Sequence, residues 1–403
     1  MPCIEQSNLE NANSTFQEKG LGIYIHWPFC QSICPYCDFN SYVSNSIDID
    51  SWASAYKKAI KASASLTDFK GVNSIYFGGG TPSLMTPGLI CEILNQIYKE
   101  FKIVGNIEIT LEANPSSSDY SNFKAYSSSG VNRCSLGIQA LNDKDLKALG
   151  RLHSANEALK ALEISQACFT MSSFDLIYGR QKQSISAWEE ELMYALSFNP
   201  QHLSLYQLTI EPGTPFFKLK ENNKLQGLPS VEQECSFFAT TKMLCKKANL
   251  THYEISNFSL PGLESRHNLN YWRYGDFIGI GPGAFGRITI DGKKYETETY
   301  KNPDKWYKSV LKNSAHLYSM RKPISQTNQA KEYAIMSLRL KEGMNIQRFN
   351  NLSNFKLDNN TIQELETLGL AYRYENQLLK TQKGELLLNA ILMHIFNSNS
   401  SSL

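Results

Sequence analysis

The first 210 residues alternate short β-like runs with longer helical patterns, and this alternation restricts the possible folds more than any other feature. Six runs are predicted as strands, at residues 22–26, 74–77, 107–111, 133–137, 172–177 and 202–206. Five helical patterns lie between them, at residues 51–66, 87–101, 119–129, 155–168 and 184–198. Such alternation predicts parallel βαβ units, in a barrel or in an open doubly wound sheet. In both folds ligands bind at the carboxyl ends of the strands.

The alternation stops after Glu211, where a Pro-Gly-Thr-Pro segment breaks the pattern. We therefore divide the chain into a disordered lead-in at residues 1–20, a barrel at 21–210, a linker and accessory segment at 211–323 and a C-terminal domain at 324–403. In the last of these, helical patterns precede two β-like runs at residues 370–374 and 378–381. Helices followed by a short hairpin are typical of a winged-helix arrangement.

Charge and hydropathy argue against two classes of protein. The formal net charge is +2, which argues against a nucleic-acid partner, so we expect the winged-helix-like end to have a packing or lid role. No apolar run approaches the roughly 20 residues that span a bilayer. Residues 1–19 lack the apolar segment of a secretory signal. Nine cysteines, mostly far apart, are typical of reduced thiols in a cytoplasmic protein.

Three of these cysteines, Cys30, Cys34 and Cys37, directly follow the first predicted strand. Thiolates are soft ligands that favour iron–sulfur clusters or zinc. A [4Fe–4S] cluster normally takes four cysteines, so three of them leave one iron open to a small chelating ligand. Structural zinc usually needs four Cys or His ligands, and no fourth follows nearby, since His26 precedes the cysteines. The spacing favours the cluster, with zinc as the weaker alternative.

The C-x3-C-x2-C spacing, with Tyr36 before the last cysteine, resembles the signature of the radical S-adenosylmethionine (radical SAM) superfamily. A glycine turn at residues 77–82 (FGGGTP) ends the next predicted strand and strengthens the resemblance. The resemblance implies a partial (β/α)6 barrel with a C-terminal mixed α/β, winged-helix-like domain. It also implies a [4Fe–4S] cluster on the three cysteines and SAM on the open iron.

Polar groups follow several other predicted strands. Carboxylates suit ribose hydroxyls, arginine suits a ligand carboxylate, and glycines let the backbone approach a ligand. The set resembles the SAM-binding residues of the coproporphyrinogen-oxidase-like branch of the superfamily, and the contacts thereby implied are Tyr24, Gly79, Gly80, Thr81, Glu112, Gln139, Arg151 and Asp175. Taken singly, such residues are more often solvated or capping groups. The chain departs from the branch after Gly179, where residues 180–183 (RQKQ) replace the usual Pro or Gly.

Two activities compete within that branch. Oxygen-independent coproporphyrinogen III oxidase converts two propionates to vinyl groups, whereas a related chaperone delivers heme. The oxidase has another cysteine two residues after the third ligand, where this chain has Phe39, and it has a longer N-terminal segment. Both departures favour the chaperone, and the oxidase remains the alternative.

A downstream H-N-x-x-Y-W pattern resembles the motif tied to heme binding in those chaperones. Its residues are His267, Asn268, Tyr271 and Trp272. A histidine can supply an axial iron ligand, and aromatic rings can cover an apolar macrocycle. Arg266 or Arg273 could meet a propionate. A lone histidine beside aromatic residues is more often a satisfied core residue, and that role is the alternative.

We therefore predict a cytoplasmic radical SAM protein that carries heme as cargo. The resemblance implies delivery of heme to acceptor hemoproteins, with respiratory-chain proteins at the membrane as the expected class. No residue is assigned a catalytic role. The sequence leaves open whether SAM is cleaved, and it leaves open the oligomeric state, a homodimer included.

Overall fold

The computed structural model describes residues 20–44, 46–69, 71–312, 317–352 and 356–398. The predicted lead-in therefore lies outside the described residues, apart from Gly20. The strands are β1 (Leu21–Trp27), β2 (Phe29–Cys30), β3 (Tyr42–Val43), β4 (Gly71–Gly79), β5 (Lys102–Ala113), β6 (Arg133–Gln139), β7 (Met171–Tyr178), β8 (His202–Gln207), β9 (Thr251–Glu254), β10 (Asn257–Ser259), β11 (Asp276–Ile280), β12 (Phe285–Ile290), β13 (Lys293–Glu298), β14 (Met320–Pro323), β15 (Met344–Asn345), β16 (Ala371–Tyr374) and β17 (Gln377–Lys380).

Helices connect most of these strands. They are α1 (Ile49–Leu66), α2 (Pro87–Glu100), α3 (Ser117–Tyr120), α4 (Phe123–Ser128), α5 (Asp143–Ala148), α6 (Ala155–Cys168), α7 (Ile185–Leu196), α8 (Pro215–Glu221), α9 (Val231–Lys247), α10 (Arg266–Trp272), α11 (Pro303–Lys312), α12 (Gln326–Ser337), α13 (Ile346–Leu352), α14 (Asn359–Thr367), α15 (Gln382–Leu386) and α16 (Leu388–Ser398). A single 3₁₀ turn follows β4 at Pro82–Leu84.

The six predicted strands all form, and they lie side by side in chain order as β1, β4, β5, β6, β7 and β8. Each adjacent pair is parallel. The described sheet does not close on itself, because β11 pairs with the free side of β1 and β10 pairs with the free side of β8. The predicted partial barrel is confirmed as the open form, within a mixed sheet of 12 strands.

Local sequence explains most helix starts. Ser154 is the N-cap of α6 and forms a capping box with Glu157, in which each side chain satisfies the other's backbone N–H group. For α1 the position of Asp50, just before the helical pattern at 51–66, predicts an N-cap there, but the N-cap is Asp48, which accepts a hydrogen bond from the Ser51 backbone. Asp50 lies in the first turn instead, where a carboxylate favours the helix dipole.

Two large hydrophobic cores and one small cluster stabilise the described part of the chain. In β1 the odd-numbered residues, such as Ile23 and Ile25, are fully buried in the larger core between the sheet and its helices. Even-numbered residues, such as Tyr24, therefore face the interior of the open barrel, because strand side chains alternate. The second core belongs to α12, α13, α14, α16 and the strands β15, β16 and β17, and it also includes Tyr274, two residues after α10.

The short helix α10 lies between the two cores and contacts β1, β4 and α12. It lies against the amino-terminal part of the barrel strands, since a Cβ on Gly22 would come within 3.4 Å of the His267 ring. The cysteine loop leaves the opposite, carboxyl end of β1. The two sequence motifs therefore lie at opposite ends of the barrel.

Among the described helices, none is long and apolar enough to cross a lipid bilayer.

Candidate functional site

The cysteine loop occupies the carboxyl end of β1. Cys30 is buried at the end of β2, while Cys34 and Cys37 lie in the following loop and are partly exposed. All three thiols are free. Burial raises the pKa of Cys30 and of Cys37 above the ordinary thiol value.

His26 links the cysteine loop to the barrel through hydrogen bonds that involve both ring nitrogens. It is therefore not available as a fourth metal ligand. Its Nδ1 atom lies 3.1 Å from the Tyr24 hydroxyl, and its Nε2 atom lies 2.9 Å from the Asn40 carbonyl. The Asn40 side chain in turn donates to the carbonyls of Pro282 and Lys301 at 3.0 and 2.9 Å. Burial lowers the pKa of His26, so this residue positions the loop as a neutral imidazole.

A buried guanidinium lies beside the thiols. Arg151 Nη1 is 3.5 Å from Cys34 Sγ, and Nη2 donates to Asn114 Oδ1 at 2.6 Å and to the Gly137 carbonyl at 2.8 Å. Its Nε atom is buried and has no partner in the described part of the chain. A fixed positive charge favours thiolates and attracts a carboxylate, so Arg151 suits both a cluster and an anionic ligand beside it.

The glycine turn after β4 packs directly against the first cysteine. Gly79 has a φ of +115°, a conformation that favours glycine. A Cβ on Gly80 would lie 3.0 Å from Cys30 Sγ and 2.7 Å from the Phe29 carbonyl. Thr81 is buried, and its hydroxyl accepts a hydrogen bond from Asn114 Nδ2 at 3.3 Å. A side chain at Gly80 would not fit beside Cys30, so the backbone N–H and C=O groups of the turn can face a ligand.

Asn114 is a site residue that the sequence analysis missed. Its amide donates to Thr81 and accepts from Arg151, so it joins the glycine turn to the guanidinium. The available signal was its position two residues after Glu112, at the end of the same predicted strand. An amide can be donor and acceptor at once, which suits this bridging position.

Two carboxyl groups lie deeper in the barrel. Glu112 on β5 accepts a hydrogen bond from the Tyr76 hydroxyl at 2.7 Å, and Asp175 on β7 accepts one from the Ser135 hydroxyl at 3.3 Å. Burial raises the pKa of Glu112 to about 7 and that of Asp175 to about 6. Both groups can therefore change their protonation near neutral pH when a ligand arrives.

Gln139 ends β6 on the same side of the barrel. It has a φ of +74°, a left-handed conformation that is uncommon for a residue with a side chain. Its Nε2 atom would lie 3.0 Å from a Cβ on Gly137. The end of β6 thus places both the Gln139 amide and the Gly137 carbonyl beside Arg151.

A pocket opens next to Cys34. It is lined by Gln31, Ser32, Cys34, Asn114, Ser116, Gly150, Arg151, Leu152 and His153. Within the described residues, no three Cys, His, Asp or Glu side chains converge as ligands of a single metal ion. The cysteines of a [4Fe–4S] cluster each bind a different iron, so such a cluster does not require that convergence. Free thiols, a turn without side chains and an adjacent guanidinium all fit the cluster and SAM.

The H-N-x-x-Y-W motif forms helix α10, and its histidine is fully enclosed. His267 is 1% exposed, and its Nδ1 atom lies 3.0 Å from the Ser74 hydroxyl. Its Nε2 atom lies 2.8 Å from the Tyr271 hydroxyl, and its ring stacks on Tyr76 at 5.0 Å. Burial lowers the pKa of His267 to about 3, so the imidazole is neutral. Both nitrogens have partners in this conformation, as expected for a core histidine.

Glu108, which the sequence analysis missed, holds the start of α10. Its carboxylate accepts hydrogen bonds from the backbone of His267 at 3.0 Å and of Arg266 at 3.2 Å. Arg133 Nη1 lies 3.4 Å from the same carboxylate, and both side chains are at least nine-tenths buried. No local pattern marks Glu108, because its partners lie far away in the chain.

The two arginines predicted for a propionate already have protein partners. Arg273 forms a bidentate ion pair with Glu342, with both nitrogen–oxygen distances at 2.7 Å. Arg266 donates to the Asn106 carbonyl. The Asn268 backbone donates to the capping Ser265 hydroxyl at 3.2 Å. The side chains of Arg266 and Arg273 and the backbone N–H of Asn268 are therefore all hydrogen-bonded within the protein.

Aromatic rings connect the two ends of the barrel. The Tyr24 ring lies 6.2 Å from that of Tyr76 and 6.5 Å from that of His267. The Tyr76 hydroxyl reaches Glu112, while its ring stacks on His267. The motif helix and the predicted SAM residues thus share one continuous set of contacts.

Comparisons with known proteins identify the family of the chain. The family described as the radical SAM superfamily matches residues 24–194. The heme chaperone HemW of Buchnera aphidicola subsp. Schizaphis graminum is 34% identical, covering 94% of this chain and 98% of its own length. The radical S-adenosyl methionine domain-containing protein 1, mitochondrial, of Danio rerio is 34% identical, covering 92% of this chain and 85% of its own length.

Among solved structures, the coproporphyrinogen III oxidase (HemN) of Escherichia coli, a radical SAM enzyme, has a similar fold. The TM-score is 0.77 at 21% sequence identity, and the match covers 94% of this chain and 90% of that chain. At this identity the likeness establishes the mixed α/β fold alone.

Proposed function

Because the chain belongs to the HemW heme chaperone family of the radical SAM superfamily, we propose that it binds heme and delivers it to acceptor hemoproteins. The observation that carries the proposal is the length of the match, which includes both the cysteine loop and helix α10. Phe39, where the oxidase has a cysteine, supports the same choice.

Cys30, Cys34 and Cys37 would hold the [4Fe–4S] cluster that the superfamily implies. When bound, a reduced cluster can supply one electron to SAM. The contact of Arg151 with Cys34 and the absence of a side chain at Gly80 support this assignment. The thiols lie where the glycine turn and the strand ends can reach a ligand on the cluster.

The strand ends would bind SAM around that cluster. Arg151 is suited to the methionyl carboxylate, and the polar backbone of the turn at Gly79 and Gly80 to the amino group. Glu112 and Asp175 are suited to the ribose hydroxyls, since a carboxylate accepts two hydrogen bonds. The remaining predicted contacts lie on the same side of the barrel: Tyr24, Thr81 and Gln139.

Heme would bind at α10 through the predicted residues His267, Asn268, Tyr271 and Trp272. The structure adds a condition to this proposal. The Nε2 atom of His267 must lose the Tyr271 hydroxyl before it can coordinate iron, because an axial ligand needs a free lone pair. Heme binding through His267 therefore requires α10 to change its contacts.

The expected setting is the cytoplasm, with respiratory-chain hemoproteins at the membrane as acceptors. The net charge of +2 supports the absence of a nucleic-acid partner. A homodimer is compatible with this function, and size measurement of the heme-loaded protein would establish the state.

The decisive comparison uses the full chain, reconstituted with iron and sulfide without oxygen. Hemin titration and coproporphyrinogen III conversion are measured side by side, with deoxyadenosine formation recorded in the same samples. We expect hemin binding without decarboxylation. Robust decarboxylation without hemin binding would overturn the proposal in favour of the oxidase.

A cysteine series tests the cluster assignment. Serine at Cys30, Cys34 or Cys37 should abolish cluster assembly, measured as iron and sulfide content. Cys235→Ser is the matched control, since Cys235 is also a free and partly exposed thiol but lies on α9. Normal cluster content in all three loop variants would contradict the assignment.

A second pair of variants tests the heme ligand. If His267 coordinates iron, His267→Ala should change the Soret band and weaken hemin binding, while Tyr271→Phe frees Nε2 and should not weaken binding. An unchanged spectrum and affinity in His267→Ala would remove His267 from the ligand list. Loss of the spectrum only in Tyr271→Phe would assign the ligand to Tyr271.

A further inference from the structure

Two cations that make no hydrogen bond or ion pair with the described residues lie where α10 meets the C-terminal domain. The Arg339 guanidinium stands over the Trp272 ring, 5.3 Å from its centre. Lys380 ends β17 and is close enough to Arg339 for their charges to repel. Within the described part of the chain, neither side chain makes a hydrogen bond or an ion pair, and both are only partly exposed.

Nearby acidic groups are already engaged. Glu385 pairs with Lys242 and, at 3.1 Å, with His252 Nδ1. Glu254 accepts from the Asn257 amide and from the Ser256 backbone. These carboxylates act on Lys380 through their charges but form no ion pair with it, and burial lowers the pKa of Lys380 to about 8.

Two hydrogen-bond donors without acceptors among the described residues lie near the cations Arg339 and Lys380. The Nε1 atom of Trp272 and the Nε atom of Arg339 are both buried and have no partner in the described residues. A buried donor without an acceptor costs free energy, so proteins rarely keep one without a reason. Trp272 on α10, Arg339 just after α12 and Lys380 on β17 thus each have a donor without an acceptor among the described residues.

We propose that Trp272, Arg339 and Lys380 form a carboxylate-binding subsite for a propionate of heme. Heme carries two propionates, and an anion would supply the acceptors that these donors lack. Trp272 belongs to the motif helix, so the subsite adjoins the place where the macrocycle is expected. This inference rests on the proposed function and deepens it.

The subsite replaces the arginines that the motif itself suggested. Arg266 and Arg273 have protein partners, and recruiting either one would break an existing contact. Within the described residues, Arg339 and Lys380 can bind an anion without breaking a hydrogen bond or an ion pair. The C-terminal domain would thereby take part directly in cargo recognition.

The test compares hemin with hemin dimethyl ester on the reconstituted full chain. The ester keeps the macrocycle and iron but lacks both carboxylates. We expect wild-type protein to bind hemin at least about tenfold more tightly than the ester, as a lost charged hydrogen bond predicts. Arg339→Gln and Lys380→Gln should each weaken hemin binding about tenfold and change ester binding less than about twofold.

Lys341→Gln is the matched control, because it removes an equal charge from an exposed lysine close to Arg339 in the chain. It should leave both affinities unchanged. The thermal midpoint of Lys380→Gln should equal or exceed that of wild type, because the variant removes a cation that has no hydrogen bond or ion pair among the described residues. The midpoint of Arg339→Gln should fall only slightly, through loss of the contact with the Trp272 ring. A merely structural role would lower both midpoints well below that of the Lys341→Gln control.

Hemin affinities of both variants within about twofold of wild type would overturn the subsite while leaving heme binding intact. Equal binding of hemin and its ester by wild type would overturn it without any variant. Failure of wild type to bind hemin would overturn both the subsite and the proposed function, so the two failures are distinguishable.

Discussion

At the scale of single residues, burial sets the protonation of the ionisable side chains in the candidate SAM and heme sites. Burial favours neutral forms, so Glu112 and Asp175 hold protons more tightly than usual and His267 holds one less tightly. The sequence identified these residues through motifs and strand ends. It could not give their protonation, because burial depends on side chains from distant elements such as Tyr76 and α10.

Glu112 should make stability depend on pH. Its pKa rises from 4.5 to about 7 on folding, so its contribution is full below pH 4.5 and is lost as the pH rises through 7. The free energy of unfolding of the SAM-free protein should fall by up to about 3 kcal/mol from this group alone. Urea unfolding at several pH values would measure this, and Glu112→Gln should show a shallower fall. Identical pH profiles would contradict the assignment.

Arg151 should determine SAM affinity. Arg151→Met removes the cation beside Cys34, and we expect SAM to bind roughly 10- to 100-fold more weakly, the cost of a charged hydrogen bond. Equilibrium binding of SAM to the reconstituted protein measures the effect. Lys147→Gln, on the exposed side of α5, is the control. Equal affinity in both variants would remove Arg151 from the site.

At the scale of elements, features that depend on neighbouring residues can be predicted from the sequence, whereas contacts between distant residues cannot. The start of helix α6 can be predicted from its capping residues, and the glycine turn can be predicted from its sequence, because both depend on neighbouring residues. The docking of α10 depends on Glu108 and Arg133, which reach it from β5 and β6. No pattern within residues 266–272 reveals that anchor.

Breaking the anchor should destabilise the protein. Glu108→Gln leaves Arg133 buried without its counter-charge, and we expect the free energy of unfolding to fall by roughly 3 kcal/mol. Chemical denaturation measures the loss. Glu92→Gln breaks an exposed pair with Lys57 and should cost less than about 1 kcal/mol. A loss no larger than that of the control would show that α10 does not depend on Glu108.

At the scale of the whole molecule, the central strands were predictable and the edges of the sheet were not. Alternating strands and helices predicted the six parallel strands, since right-handed crossovers leave few arrangements. The pairing of β11 with β1 joins residues 276–280 to residues 21–25, and only long-range packing selects it. The same long-range packing brings Trp272, Arg339 and Lys380 together, although they are far apart in the sequence.

Heme delivery is the central claim, and transfer of heme between proteins tests it most directly. Reconstituted chain loaded with hemin would be mixed anaerobically with the apo form of a respiratory-chain hemoprotein, and the absorbance of the acceptor followed over time. We predict that the acceptor fills faster than with an equal concentration of free hemin, while heme leaves the chain. Filling no faster than with free hemin, or heme retained by the chain, would contradict the claim.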